Sequence, residues 1–175
     1  MWRDISMLKI YSLKNDGDTK ITENFKVKEF ACKDGSDEVK ANVDLFIKIL
    51  QPLRNWLGGW LRILSGYRTE SYNLRINNSA TSQHCYGNAA DIYKGDTEEE
   101  QRNYACKIAL WAYFNGADGI GIYINRKNGD RDKVWAYVHV DYGGRVNRYF
   151  WLNDGGEQFA ISDVLDTVIK IKNSY

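Results

Sequence analysis

The sequence predicts an α+β fold, in which helices and mostly antiparallel strands follow one another in mixed order. Two segments carry helical periodicity or a helix cap, and four are rich in β-branched and aromatic residues or alternate in polarity. The helical segments are residues 36–57 and 97–115, and the strand segments are residues 61–64, 89–93, 120–124 and 134–140. Because these segments interleave and the chain has one proline and no flexible linker, we expect residues 1–175 to form one domain.

Residues 1–22 form a polar arm ahead of these elements. Within it we expect a short strand over residues 8–12 and a turn over residues 15–18, Asn-Asp-Gly-Asp. The first nine residues lack the apolar core of a signal peptide, and no apolar run approaches the length of a membrane span. These features predict synthesis in the cytoplasm without a signal peptide and without a membrane span.

The first helix is predicted to begin near Ser36. The apolar residues that follow at helical spacing are Val39, Val43, Phe46, Ile47 and Leu50. Pro52 has no backbone N–H, so it should kink this helix or start a second short one. Gly58 and Gly59 then end the helical segment ahead of the strand at 61–64.

The second long helix carries a capping box, since Thr97 is followed three residues later by Glu100. It is predicted to end near Asn115, and the acidic residues of its first turn complement the helix dipole. Three further elements are predicted: a charged hairpin loop over residues 125–133, an edge strand at residues 149–151, and a closing helix at about 162–172 capped by Ser162.

Composition excludes some classes of function. A net charge of +1 argues against a broad nucleic-acid-binding surface, so we expect no nucleic-acid partner. Three scattered cysteines, Cys32, Cys85 and Cys106, make no disulfide framework and indicate a reducing compartment. We interpret Cys85 as a neighbour of His84 and not as a metal ligand, and we expect a monomer.

The two histidines of the chain, His84 and His139, lie in segments that together predict a metal site. Gly87 and Asn88 form a turn that would return the chain from His84 to a strand bearing Asp91. Two imidazoles and one carboxylate are a ligand set that catalytic zinc sites use, with water in the fourth position. The alternative is two unrelated histidines, one on the surface and one packed in a strand.

Alternation along residues 134–141 separates two faces of the last central strand. Ala136 and Val138 fall on one face, whereas Tyr137, His139 and Asp141 share the other. The second face is therefore predicted to be the functional one.

Four motifs in order resemble the zinc D-alanyl-D-alanine peptidase family. They are Ser-Gly-Tyr-Arg at residues 65–68, Ser-x-His-x-x-Gly-x-Ala-x-Asp at 82–91, Gly-x-Gly-x-Tyr at 119–123, and His-x-Asp at 139–141. The resemblance spans residues of about 25 to 142. This family includes bacterial carboxypeptidases, phage L-alanyl-D-glutamate endolysins and relatives of the hedgehog signalling domain.

The resemblance implies a hedgehog-like α+β fold with a mostly antiparallel central sheet and flanking helices. It also implies one zinc ion held by His84, Asp91 and His139. The implied reaction is hydrolysis of amide bonds in the peptide stems of peptidoglycan, by a carboxypeptidase or an endolysin-type endopeptidase. An enzyme that cuts the cell wall without a signal peptide would suit a phage or prophage product.

Arg68 belongs to the Ser-Gly-Tyr-Arg motif and is a candidate for catalysis and substrate binding. Its planar guanidinium would grip a carboxylate of the stem peptide or stabilise the developing oxyanion. The alternative is a structural ion pair with Glu70 or Asp91.

Further polar residues lie near the motif positions. Ser82 would either bind substrate by a hydrogen bond or cap the loop that carries His84, and the sequence does not separate these roles. Tyr137 shares a strand face with His139 and is expected to line the substrate cleft. Tyr67 and Tyr123 are expected to be packing residues.

The general base has several candidates. Many members of the family carry Asp or Glu three residues before the last histidine, where this chain has Ala136. Asp141 would act as the base, or would accept the second ring N–H of a ligand histidine and fix its tautomer. The remaining candidates are Asp118, Asp130, Asp132 and Glu70. The departure at Ala136 also leaves open a second hypothesis, a weakly active or inactive zinc-bearing binding or structural module.

Overall fold

A six-stranded sheet forms the centre of the molecule, and a two-stranded sheet lies beside it. This computed structural model describes residues 7–127 and 129–175, so the first six residues of the predicted arm lie outside the described part. The strands are β1 (Leu8–Ser12), β2 (Glu38–Asn42), β3 (Arg62–Ser65), β4 (Ala89–Tyr93), β5 (Gly119–Ile124), β6 (Tyr137–Asp141), β7 (Tyr149–Asp154) and β8 (Glu157–Ile161). The longer helices are α1 (Gln51–Leu57), α2 (Glu70–Asn77), α3 (Glu98–Phe114) and α4 (Val164–Ser174). Shorter helical segments are Leu13–Asp16, Val27–Phe30, Leu45–Leu50, Gln83–Tyr86 and Gly129–Asp132.

The strand order of the large sheet is β3-β4-β6-β5-β7-β8. Neighbouring strands are antiparallel except for β5 and β7, which are parallel. β1 pairs with β2 in the small sheet. The α+β class and the mostly antiparallel sheet predicted from the sequence are therefore confirmed.

Helix α3 covers one face of the central strands and contacts β4, β5, β6 and α4. The predicted capping box is present, since Thr97 and Glu100 each accept a hydrogen bond from the other's backbone N–H. Beneath the helix, the alternate residues Val138 and Val140 of β6 are fully buried. The opposite face of β6 is thereby left to His139 and its neighbours.

The helix predicted from Ser36 is wrong over its first part, because residues 38–42 form the strand β2. Charged Glu38 and Lys40 alternate with the buried Val39, and this period of two suits a strand. The segment fits both a helical period and a period of two, and its pairing with β1 decides in favour of the strand. That pairing joins residues about thirty positions apart in the sequence.

The helix begins instead at Val43, and its stretch Leu45–Leu50 is π-helix that continues into α1. Pro52 lies in the first turn of α1, so the π-helical stretch gives way to α-helix at the residue that has no N–H to continue the hydrogen-bond ladder. Gly58 ends α1 with a φ of 64°, as the paired glycines predicted. The strand that follows is β3.

The C-terminal part differs from the prediction in two respects. Residues 149–151 belong to β7, which is an inner strand, because β8 pairs with its outer side. Asp163 caps the closing helix where Ser162 was expected, and the helix runs over Val164–Ser174. The loop over 125–133 does join the antiparallel β5 and β6, and it contains the short helix Gly129–Asp132. Among the described residues, no helix is both long and apolar enough to cross a membrane.

Candidate metal centre

His84 is presented by the tight 3-10 turn Gln83–Tyr86. The hydroxyl of Ser82 accepts a hydrogen bond from the backbone N–H of His84 at 3.3 Å and begins the turn. Gly87 ends it with a φ of 71°, and an added Cβ would lie 2.6 Å from the backbone of Lys40 in β2. Only glycine fits this position, so the local sequence dictates the turn that carries His84.

Asp91 and His139 are brought together by the register of the sheet. They are directly opposite each other in the antiparallel pair of β4 and β6. On the other side of His139, Gly121 of β5 is its cross-strand partner. Trp151 of β7 lies next to Gly121, and a Cβ on that glycine would overlap its indole ring. The glycine therefore allows the indole to reach within 5.0 Å of the His139 ring, centroid to centroid.

Three ligand atoms of these side chains form a nearly equilateral triangle. His84 Nε2 lies 3.2 Å from Asp91 Oδ1 and 3.1 Å from His139 Nδ1. His139 Nδ1 lies 3.0 Å from the same Asp91 oxygen. Zinc bonds of about 2.0–2.2 Å at tetrahedral angles separate two ligand atoms by about 3.3–3.5 Å. The triangle thus fits one face of a zinc tetrahedron after an expansion of a few tenths of an ångström, and all three residues are buried.

The second nitrogen of each histidine ring has a partner on the side away from this triangle. His84 Nδ1 lies 2.7 Å from the carbonyl oxygen of Gly66, and His139 Nε2 lies 3.0 Å from Asp141 Oδ2. A carbonyl and a carboxylate only accept hydrogen bonds, so these ring nitrogens carry the protons. The lone pairs of His84 Nε2 and His139 Nδ1 are then directed to the centre, as metal-binding histidines require.

Asp141 is wholly buried and is shared between His139 and a second partner. Arg145 Nε lies 2.9 Å from both carboxylate oxygens, and its Nη2 lies 2.7 Å from Oδ2. Asp141 lies behind the His139 ring, and it does not line the cavity that opens in front of the three candidate ligands. The geometry therefore favours a role in fixing the tautomer of His139 over the role of a base.

Arg68 forms the ion pair that the sequence offered as one alternative. Its Nη2 lies 2.5 Å from Asp91 Oδ2, the oxygen that is not directed at the histidines. Ser65 and Asn73 accept two further hydrogen bonds from the guanidinium, at 2.9 and 3.4 Å. Since Arg68 also lines the cavity, the ion pair does not exclude contact with substrate. Glu70, the other expected partner, does not pair with it.

Burial opposes the charged form of all three candidate ligands, and the balance between burial and the surrounding contacts decides the direction of each pKa. For Asp91, the penalty of burial is outweighed by the two histidines, which hold its pKa well below the usual value. Burial dominates at His84 and lowers its pKa. At His139, burial is outweighed by the hydrogen bonds of Asp141 and Asp91, and the pKa is raised. The carboxylate is thus anionic and His84 is neutral at neutral pH, as a ligand must be, whereas His139 holds its second proton more strongly and releases it from Nδ1 when a metal binds.

A cavity of about 730 Å³, here called the main cavity, opens in front of the triangle. Besides the three candidate ligands it is lined by Arg68, Ile76, Asn77, Thr81, Ser82, Gln83, Tyr86, Tyr123, Tyr137, Arg145, Tyr149, Trp151, Asn153 and Gln158. Tyr137 and Ser82 therefore lie where substrate contact was predicted. Tyr123 is stacked on Tyr137 with centroids 4.3 Å apart, as a packing residue would be, and it also lines this space. Tyr67 is buried and donates a hydrogen bond to Glu38, as a packing residue would.

Sequence reasoning missed Arg145, Trp151 and the carbonyl of Gly66. A signal for Trp151 existed, since the aromatic run at 149–151 places Tyr149 and Trp151 on one strand face. Its position beside His139 depends on the parallel pairing of β5 and β7, which no local pattern reveals.

Three of the carboxylates proposed as alternative bases, Glu70, Asp118 and Asp132, do not line the main cavity. Asp118 accepts the backbone N–H of Gly143, and Asp132 pairs with Arg126. The side chain of Asp130 lies outside the described residues. Of the described residues that line the main cavity, Asp91 alone carries a carboxylate.

The position of Ala136 shows where the Asp or Glu that many family members carry there would be directed in this chain. Ala136 is buried in the hydrophobic core, on the face of β6 opposite to His139. A carboxylate at this position would be directed into the core, so its absence is not evidence of lost activity in this chain.

Comparison with protein families gives one match, to the family described as Peptidase M15, over residues 22–128. The matched segment includes Arg68, His84 and Asp91 and ends before His139. Searches of curated proteins and of solved structures gave no match.

Proposed function

This chain belongs to the Peptidase M15 family, and from that premise we propose that it is a zinc-dependent peptidase that hydrolyses amide bonds in the peptide stems of peptidoglycan. The observation that carries the proposal is the buried triangle of His84 Nε2, Asp91 Oδ1 and His139 Nδ1 on the wall of the main cavity. Two imidazoles and a carboxylate are the ligand set of a hydrolytic zinc site.

One zinc ion would be held by His84, Asp91 and His139. When bound, it supplies a Lewis acid and lowers the pKa of a water molecule towards neutrality. The protein supplies a ligand set that is oriented beforehand, because Gly66 fixes the His84 ring and Asp141 fixes the His139 ring. Ligand histidines held in this way lose little freedom when a metal binds.

Substrate binding falls to the cationic and aromatic lining of the main cavity. Among the described residues that line this cavity, Arg68 and Arg145 carry the positive charge, and stem peptides carry free carboxylates that a guanidinium binds well. Tyr137 and Ser82 would donate hydrogen bonds to the peptide backbone. Trp151, beside His139, would cover one side of the cleaved bond and exclude water from it.

An endopeptidase suits the shape of the site better than a carboxypeptidase. A second cavity of about 170 Å³ shares Arg68, Ile76, Asp91 and Tyr137 with the main cavity and leads away from it along β3. The cleft thus continues past Arg68 and Asp91 into the second cavity, which suits a peptide that extends beyond the cleaved bond.

Digestion of purified peptidoglycan tests this function. The zinc-loaded protein should release new amino termini without free D-alanine, and a chelator should abolish the release. One zinc per chain should be found in the wild type and should be lost in His84→Ala and His139→Ala, with circular dichroism to check that both fold. Release of free D-alanine would identify a carboxypeptidase instead, and full zinc occupancy in both variants would refute the site.

A second candidate function is a zinc-bearing binding module with weak or no hydrolysis. The observation in its favour is that, among the described residues lining the main cavity, no carboxylate other than Asp91 is present to accept a proton. It predicts one bound zinc, retention on peptidoglycan, and no new amino termini in the same digestion.

A further inference from the structure

A groove follows the outer edge of β3, the first strand of the large sheet. It has a volume of about 570 Å³ and is lined by five consecutive residues, 60–64, of which 62–64 belong to β3. Neighbouring side chains of a strand point to opposite faces, so a groove that touches three in succession follows the edge of the strand. Glu29, Lys33, Arg54 and Tyr93 complete its lining. We call this space the edge groove.

The backbone of β3 is open on this side. Among the described strands, β3 pairs with β4 alone. Within residues 7–127 and 129–175, no backbone hydrogen bond joins residues 62–64 to a segment across the edge groove. Unpaired N–H and C=O groups along a strand edge are a template for an extended peptide.

The charge of the edge groove is positive. Lys33, Arg54 and Arg62 line it, with Glu29 as the one acidic residue among the described lining residues. The carboxylate of Glu29 already accepts the backbone N–H of Lys26 at 2.7 Å. Lys33 and Arg62 are exposed, so an acidic ligand would meet two accessible cations.

A rigid aromatic residue closes one end of the groove. Trp60 lies there, with the guanidinium of Arg62 5.2 Å from its ring. Behind it, the buried Lys94 donates hydrogen bonds to the carbonyls of Gly58 and Trp60, at 3.0 and 2.9 Å, and lies 4.8 Å over the indole. The ring and the loop that carries it are therefore held in place without a ligand.

The edge groove is continuous with the metal centre. The cavity of about 170 Å³ beside the main cavity shares Lys33 and Leu64 with the edge groove, and Arg68 and Asp91 with the main cavity. A chain bound at the triangle has a lined path to Trp60. The four residues of β3 are long enough to pair with about three to four residues of an extended peptide, at about 3.3 Å each.

We propose that the edge groove binds an extended acidic peptide, which adds to the edge of β3 and places its carboxylates at Lys33 and Arg62. The inference rests on the proposed function, since this peptide would be the part of the substrate that leads away from the cleaved bond. A different explanation of Arg62 is that a charge on an edge strand prevents self-association. That explanation predicts no peptide binding.

Hydrogen exchange of the zinc-loaded protein tests the proposal with an octapeptide of alternating alanine and glutamate. The peptide should slow exchange of the amides at 62–64, and the matched alanine–glutamine peptide should not. Arg62→Glu and Lys33→Glu should each weaken binding about tenfold or more, as loss of a charge-assisted contact at about 1.4 kcal/mol per tenfold predicts. Lys9→Glu is the matched charge reversal, because Lys9 is exposed on β1 and lines neither groove nor main cavity; it should change binding by less than about twofold.

Three results would overturn the proposal. The alanine–glutamine peptide could bind as tightly as the alanine–glutamate peptide, the amides at 62–64 could show no slowing of exchange, or Lys9→Glu could weaken binding as much as Arg62→Glu and Lys33→Glu do. Binding of an uncharged chitin oligosaccharide at 62–64, in place of the acidic peptide, would overturn it in favour of a glycan site. The same exchange measurement on His139→Ala separates this inference from the proposed function. If the peptide still slows exchange of the amides at 62–64 in this variant, which would lack zinc and hydrolysis, the edge groove binds the peptide even if the protein is not a peptidase.

Discussion

Replacing Asp141 by asparagine would separate its two possible roles, because the change removes a proton acceptor but keeps the size of the side chain. Asp141 Oδ2 lies 3.0 Å from His139 Nε2, and Arg145 reaches both carboxylate oxygens. An amide oxygen still accepts the hydrogen bond of the histidine. Its NH2 group must then face the Arg145 guanidinium, a contact between two donors.

The size of the effect follows from these contacts. Loss of the partner that orients a ligand histidine typically costs about 10- to 100-fold in metal affinity. Since the amide of Asp141→Asn can still accept from His139, we expect the lower end, about tenfold or 1.4 kcal/mol. The free energy of unfolding should fall by about 2–3 kcal/mol, as one charge-assisted hydrogen bond is lost. The arginine side chain is 25% exposed, so water relieves part of its lost pairing.

Zinc affinity is measured by competition with a chromophoric chelator, and stability by urea unfolding of the metal-free protein, so that the two effects stay separate. Asp118→Asn is the matched control, because the Asp118 carboxylate accepts the backbone N–H of Gly143 at 2.6 Å and forms no hydrogen bond with either histidine. Turnover reduced about 100-fold with unchanged zinc affinity would refute the orienting role and identify Asp141 as the base. Unchanged zinc affinity together with normal turnover would refute both the orienting role and the role of a base.

Two further substitutions test the contacts on the other side of the triangle. Arg68→Lys keeps a positive charge but loses the forked geometry that holds Asp91. Turnover on peptidoglycan should therefore fall about tenfold or more while zinc stays bound. Normal turnover in this variant would leave Arg68 with a structural role. Gly66→Ala places a Cβ 2.6 Å from the Cα of Phe30, and the shift should cost about 1–3 kcal/mol of stability and weaken zinc binding, since the Gly66 carbonyl orients His84. An unchanged thermal midpoint and zinc affinity in that variant would contradict the second prediction.

The sequence could predict the parts of the site that depend on neighbouring residues. His84 and Asp91 lie seven positions apart, and Gly87 between them forces a turn that returns the chain. Strand alternation placed His139 and Asp141 on one face without any tertiary information. Both inferences needed only local backbone geometry, and the structure brings the three candidate ligands together.

The contacts that the sequence did not predict join distant segments. Gly66 meets His84 across 18 residues, and Trp151 reaches His139 only because β7 pairs in parallel with β5. The strand β2 was mistaken for the start of a helix for the same reason, since Val39 fits both periods and pairing with β1 decides the outcome. The period of apolar residues limits a segment to a helix or a strand, and the segment that packs or pairs against it determines which of the two forms.

The spacing of the candidate ligands depends on the same register that buries the core. Asp91 is opposite His139 because Ala90 is opposite Val140, and these last two side chains are buried. A slip of one residue between β4 and β6 would turn Asp91 into the core and expose apolar side chains at the metal centre. The burial of apolar residues therefore opposes any displacement of the ligands. The fold assembles the triangle before a metal binds, and zinc would meet a site whose geometry hydrophobic packing already maintains.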